Sequence, residues 1–285
     1  MSTEIKIGTS EAELPVPGPL SEDAAEKDSS ARSVLQAPQE DKITNPFIRA
    51  EENEAYRKLE REYREYRTQK VLSKIDELFT GVEPISDVRE ELRRTAGESN
   101  AKAVVLPCLI QEAKRILPVS ANIETLVDYP YGSGGQKAVL TEIRAALRAK
   151  VAVSAAVNLS FYASGNFRPA EKRLKVLKRL SAKRSVTPMF LAGALGPEQA
   201  SRLASFVKAN GFKRVRLMIG AVGISRAADA VKLFRRTLGD RCPIDAVGKV
   251  SSANDAETLF NAGADRIITT DYRTLSRQRL DGINV

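Results

Sequence analysis

The chain has 285 residues, 42% of them apolar, 28% charged and 6% aromatic, with a formal net charge of +9. That apolar content supports one barrel-sized domain or two small ones and excludes a wholly disordered chain. There is no histidine, which excludes Ser-His-Asp and Cys-His triads, histidine-held metals and the commonest general acid–base.

Any chemistry must therefore run on Lys, Arg, Asp, Glu, Ser, Tyr or Cys. Cys108 and Cys242 are the only cysteines, too few for a disulfide framework or a zinc site. They read as core residues beside strands in a protein of the reducing cytoplasm. No run approaches the roughly 18 apolar residues of a membrane span, and the first residues carry neither a basic nor an apolar leader pattern. No cofactor and no metal site is implied.

In chain order, residues 1–45 hold nine acids against four bases, a balance of −5, so the remainder carries +9 − (−5) = +14. This Ser-, Pro- and Ala-rich stretch reads as a disordered acidic tail, either simply solvating or docking on a basic surface. Residues 46–72 read as an amphipathic helix. Asn45 is a candidate cap with Pro46 at the first helical position, and the stretch from Ala50 to Leu72 lacks Gly and Pro. Tyr56, Leu59, Tyr63 and Tyr66 recur at helical spacing, and Glu60–Arg64 is an i,i+4 pair. The seam they form packs either on its own domain or against a partner protein, a second copy of the chain included.

Residues 73–285 alternate β-rich and helical runs. A weak strand near Lys74–Phe79 leads to a helix over Asp87–Ala96, capped by Ser86 and stopped by Gly97. Strands over Ala103–Leu106, Ile123–Val127, Val151–Val157, Thr187–Leu191, Val215–Ile219, Ile244–Val247 and Arg266–Thr269 follow. Between them lie helices over Leu109–Ile116, Gln136–Arg148, Ala170–Ser181, Gly196–Ala209, Ser225–Leu238 and Asn254–Ala262. Strands separated by helices of this length predict a parallel sheet, and eight of them favour an α/β fold of the (β/α)8 TIM-barrel type. No Gly-x-Gly-x-x-Gly follows the first strand, against a dinucleotide fold.

Several segments carry a family resemblance in the right order and spacing. They are Asn100-Ala-Lys-Ala-Val-Val-Leu-Pro107 with Glu112-Ala-Lys114, Thr125-Leu-Val-Asp-Tyr-Pro-Tyr-Gly132, and Asn158 with Ser164-Gly165. Ala194-Leu-Gly-Pro-Glu-Gln199 with Lys208-Ala-Asn-Gly211, and Asn254-Asp-Ala256 with Asn261-Ala-Gly-Ala-Asp-Arg-Ile267, complete the set. Over roughly residues 74–270 the sequence resembles the deoxyribose-phosphate aldolase family. The resemblance implies a class I aldolase barrel, in which a lysine on the sixth strand forms an imine with the substrate carbonyl. A second lysine on the seventh strand lowers the first one's pKa, and an aspartate on an earlier strand relays protons.

Matched without gaps, those three positions hold Arg216, Asp245 and Ser154. A guanidinium stays protonated to a pH of about 12 or more and cannot form that imine. Opposite charges on neighbouring strands predict an inward ion pair between Arg216 and Asp245. A four-residue gap would instead bring Lys249 to the helper-lysine position as an alternative Schiff-base amine. In the family, backbone N–H groups after the seventh and eighth strands hold the substrate phosphate, which makes Gly220, Gly248 and Lys249 the anion-binding candidates, while Asp271 would repel an anion.

A basic stripe runs from Lys172 to Arg184 (Lys172, Arg173, Lys175, Lys178, Arg179, Lys183, Arg184), over the inner Leu174, Leu177 and Leu180. It reads as the solvated outside of a barrel helix, as a surface for nucleic acid or another acidic partner, or as a dock for the acidic tail. The functional expectation is a catalytically degenerate aldolase-like barrel serving as an interaction scaffold, a pseudoenzyme. The alternatives are a divergent lyase working through Lys249 and a sugar-phosphate sensor built on Gly248-Lys249.

Overall fold

The computed structural model describes residues 46–80, 83–97, 102–181 and 185–285. The acidic segment 1–45, the Asn45 cap, and Lys183 and Arg184 of the basic stripe lie outside the described residues. The chain divides into Met1–Ala55 and Tyr56–Val285. Of the first unit only the opening turns of helix α1 (Pro46–Leu72) are described.

The second unit is a closed parallel barrel. Its strands are β1 (Ile75–Phe79), β2 (Lys102–Val105), β3 (Asn122–Val127), β4 (Ala152–Ala156), β5 (Val186–Phe190), β6 (Val215–Met218), β7 (Ile244–Gly248) and β8 (Arg266–Thr269). They lie side by side in chain order, and β8 closes on β1 through Ile75↔Ile267 and Glu77↔Thr269. Between the strands run α2 (Ile85–Ala96), α3 (Ile110–Ile116), α4 (Gln136–Arg148), α5 (Ser160–Ala163), α6 (Arg168–Ser181), α7 (Pro197–Ala209), α8 (Gly223–Leu238) and α9 (Ala253–Asn261), and after β8 comes α10 (Tyr272–Ser276). The eight-stranded TIM barrel read from the sequence is thus the observed fold.

Strand side chains alternate between faces, and that alternation sorts the barrel into an outer core and an inner one. The outer core packs residues such as Ala103, Val105, Val153, Leu217 and Ala246 against helix residues such as Leu92, Ile143, Leu174 and Phe234. The inner core is one residue per strand: Leu78, Val104, Leu126, Ala156, Met189, Met218, Val247 and Ile268. Leu106, Tyr129 and Leu191 pack against this layer. They follow the ends of β2, β3 and β5, so they close the barrel at the C-terminal ends of its strands.

Some local expectations change. Helix α2 starts at Ile85 after Pro84, and Ser86 is not its cap; the Ser86 hydroxyl bonds Asp87 instead. The short helices α5 and α10 have too few residues to show a periodic pattern. Cys242 is buried, but Cys108 is exposed, because Pro107 opens a 3-10 turn that carries it out of the core. The seam of α1 does not pack on the barrel: Tyr56, Leu59, Tyr63 and Tyr66 are 68%, 64%, 59% and 64% exposed. The helix is anchored instead by its last turns. Val71 is buried, and Arg67 donates to the carbonyls of Asp281 (3.2 Å) and Ile283 (3.1 Å) and to Asn284 Oδ1 (3.0 Å). Among the described residues no helix is long and apolar enough to cross a membrane.

Candidate functional site

Two residues before each inner-core residue, on the same face of the same strand, stands a polar one. The series is Asp76, Lys102, Glu124, Ser154, Thr187, Arg216, Asp245 and Arg266. The barrel interior therefore has two layers, an aliphatic one toward the C-terminal strand ends and a polar one toward the N-terminal ends. Arg216 is the largest fully buried side chain in the described chain. A guanidinium taken out of water at this depth is tolerated only when paired.

The structure supplies the pairing. Arg216 Nε donates to Asp245 Oδ2 at 3.2 Å, which is the ion pair expected from the sequence. Glu124 on β3 is a closer partner, with Nη1 2.6 Å and Nη2 2.7 Å from its carboxylate oxygens. Burial alone would lower the Arg216 pKa, but the charges of Glu124 and Asp245 outweigh it and hold the guanidinium above its ordinary value. Ser154 is fully buried, and its hydroxyl donates to Glu124 Oε1 at 2.8 Å. Asp245 receives a second cation, Arg214, at 2.7 and 2.9 Å. Arg216, Asp245 and Ser154 are therefore brought together, with Glu124 at the centre.

On the other side of the barrel Asp76 is shared by Arg266 and Lys102. Burial pushes the Asp76 carboxyl up, and the hydrogen bond from Arg266 and the charge of Lys102 more than reverse this, so it lies below its ordinary range. The sequence reading missed Glu124, Asp76, Lys102, Arg214 and Arg266. Lys102 is an inward lysine, but it opens its strand and so sits at the N-terminal end of the barrel. The polar layer is reached from that end through a cavity of about 940 Å3, whose lining includes the strand-opening residues Ile75, Lys102, Asn122, Ala152 and Arg266. Barrel enzymes place their chemistry at the opposite face.

At that opposite face the anion-binding candidates have other duties. Gly220 has φ +51, and a Cβ there would come within 2.9 Å of Leu191 Cδ1. Gly248 has φ +147, and a Cβ would lie 3.1 Å from Ile219 Cβ. Both glycines are thus explained by close packing. Lys249 is exposed. The N–H groups of Val250 and Asp271, beyond β7 and β8, both donate to the buried Thr269 hydroxyl at 3.0 Å. A side-chain oxygen thus occupies donors that an anion would need. The basic stripe on α6 is also interrupted. Arg173 donates to the Gly134 carbonyl at 3.0 Å, and Lys178 donates to the Gly211 carbonyl and covers the Phe212 ring. Lys172, Lys175 and Arg179 are left on the exposed face.

No family model matches the chain. Curated relatives named deoxyribose-phosphate aldolase do. That of Caldanaerobacter subterraneus is 22% identical over 188 residues, covering 63% of this chain and 81% of the relative. That of Clostridium perfringens is 26% identical over 183 residues, covering 62% and 81%. Among solved structures, the aldolase QR15 has a TM-score of 0.61 at 17% identity, covering 72% of this chain and 94% of its own. A deoxyribose phosphate aldolase from Aeropyrum pernix, described as a tetramer, has a TM-score of 0.59 at 19% identity, covering 73% and 90%. These structural likenesses speak to the fold alone, and the curated relatives add the ancestry. The chain is a relative of the deoxyribose-phosphate aldolase family, built on its eight-stranded barrel.

Proposed function

We propose that this chain is a catalytically degenerate aldolase-type barrel that acts as an interaction scaffold. The observation that carries the reading is the Arg216 guanidinium, clamped between Glu124 and Asp245; the ungapped sequence match assigns this position to the family's imine-forming lysine. A guanidinium held in its charged form offers no free nitrogen lone pair to attack a carbonyl. The aliphatic layer above it supports the same reading, since none of its eight side chains can take or give a proton. The exposed Tyr56, Leu59, Tyr63 and Tyr66 stripe on α1 supports a partner-facing role, because contiguous apolar surface of this kind marks interaction sites.

A retro-aldol assay with 2-deoxyribose 5-phosphate, paired with borohydride trapping of added acetaldehyde, tests the loss of chemistry. The full chain should show no turnover above buffer and no adduct on a barrel lysine. Turnover abolished by Lys249→Ala, with the adduct mapped to Lys249, would establish a divergent lyase instead.

A further inference from the structure

We propose that the cavity at the N-terminal end of the barrel binds a small organic phosphate monoester. Its charge balance is the starting point. The polar layer holds three carboxylates, Asp76, Glu124 and Asp245, and three cations, Lys102, Arg216 and Arg266; with Arg214 beside it the site carries 4 − 3 = +1. Asp245 and Glu124 together balance Arg214 and Arg216, so the surplus lies at Asp76, which Lys102 and Arg266 share.

Three of the four cations are more exposed than the carboxylates they pair with, while Arg216 at 2% lies deeper than Glu124 at 11%. The Asp245 and Asp76 side chains are 0% and 3% exposed. The other three cationic heads stand toward the opening, Arg214 at 38% and Lys102 and Arg266 at 24% each. An approaching ligand therefore meets positive charge first, within protein walls that concentrate the field. Arg214 is held by Asp245 through Nη1 alone and keeps Nε and Nη2 for phosphate oxygens, whereas Arg266 spends Nε and Nη2 on Asp76 and offers Nη1; Lys102 adds a compact charge.

The cavity is larger than a bare ion requires. At about 940 Å3 it lies at the upper end of small-molecule sites, roughly 300–1,000 Å3. Leu72, Ile75 and Tyr272 give it an apolar wall for the organic part of an ester. This site lies at the opposite end of the barrel from Gly248 and Lys249, and it requires neither a Schiff base nor a partner protein.

Calorimetric titration of the full chain with inorganic phosphate and with phenyl phosphate at low salt tests the proposal. Both should bind, phenyl phosphate more tightly, and both more weakly as salt rises. Lys102→Met removes the surplus cation and Arg214→Gln a partly solvated one, and each leaves its carboxylate another partner, so both variants should fold. Each should raise the Kd for phenyl phosphate about tenfold or more, as loss of a charged hydrogen bond does. In the unmodified chain, phenyl phosphate should slow acetylation of Lys102 by acetic anhydride while leaving Lys249 unprotected, read by mass spectrometry. Absence of binding at millimolar phosphate, an unchanged Kd in both variants, or protection of Lys249 in place of Lys102 would each overturn it.

Discussion

Replacing Arg216 by methionine removes the guanidinium that joins β3, β6 and β7 and leaves the two carboxylates behind. They do not suffer equally. Asp245 keeps Arg214, although that side chain is partly solvated. Glu124 loses both of its short contacts and keeps only the Ser154 hydroxyl. Removing one member of a buried ion pair costs about 3–5 kcal/mol, mostly from the charge left uncompensated. For a barrel of this size that is a fall in Tm of roughly 6–20 °C. Urea unfolding followed by far-ultraviolet circular dichroism would read it, with the double variant Arg216→Met/Glu124→Leu alongside. If the cost is the stranded carboxylate, the double variant should recover much of the loss, because apolar replacement of a buried pair is often neutral or better. An Arg216→Met chain that unfolds with the unmodified protein would refute the reasoning, and so would a double variant weaker than both single ones.

Two further outcomes follow from the same geometry. Asp76 has a depressed carboxyl pKa in the folded chain, so its stabilising contribution is complete above about pH 4 and is lost as pH falls through the depressed value. Below pH 4 the urea midpoint of the unmodified chain should therefore drop more steeply than that of Asp76→Asn; parallel curves would contradict this. On α1, Leu59→Glu with Tyr63→Glu changes only exposed side chains, so barrel stability should move by no more than about 0.5 kcal/mol. Cross-linking to any partner captured by the full chain should fall together with the apolar stripe, and undiminished cross-linking would separate that stripe from binding.

Much of the fold was legible because a parallel barrel repeats one unit eight times, and each repeat carries a short β-branched run followed by an amphipathic one. Boundaries shifted where the signal was local. Ser86 looks like a cap, yet Pro84 sets the entry to α2 two residues earlier. Of the site, Arg216 and Asp245 were legible because they fall where the resembled family carries its two lysines, and opposite charges on neighbouring strands predict a pair. Glu124 is not legible from β3 alone, because its partner lies 92 residues away. A signal was nevertheless present. Asp76/Leu78, Lys102/Val104, Glu124/Leu126, Thr187/Met189, Arg216/Met218, Asp245/Val247 and Arg266/Ile268 all place a polar residue two before an aliphatic one. Read across strands rather than along them, that spacing gives both interior layers. The Thr269 hydroxyl was not legible, because which amides it would satisfy depends on how the β7 and β8 loops approach each other in space.

The Arg67 contacts bear on how the barrel carries mechanical load. One side chain near the end of α1 holds the carbonyls of Asp281 and Ile283, more than 200 positions along the chain. Tension applied to α1 is thereby divided between the strand it leads into and the segment that follows β8. Parting the two near the seam between β8 and β1, where a barrel built from a single chain must close, therefore requires these hydrogen bonds to break as well.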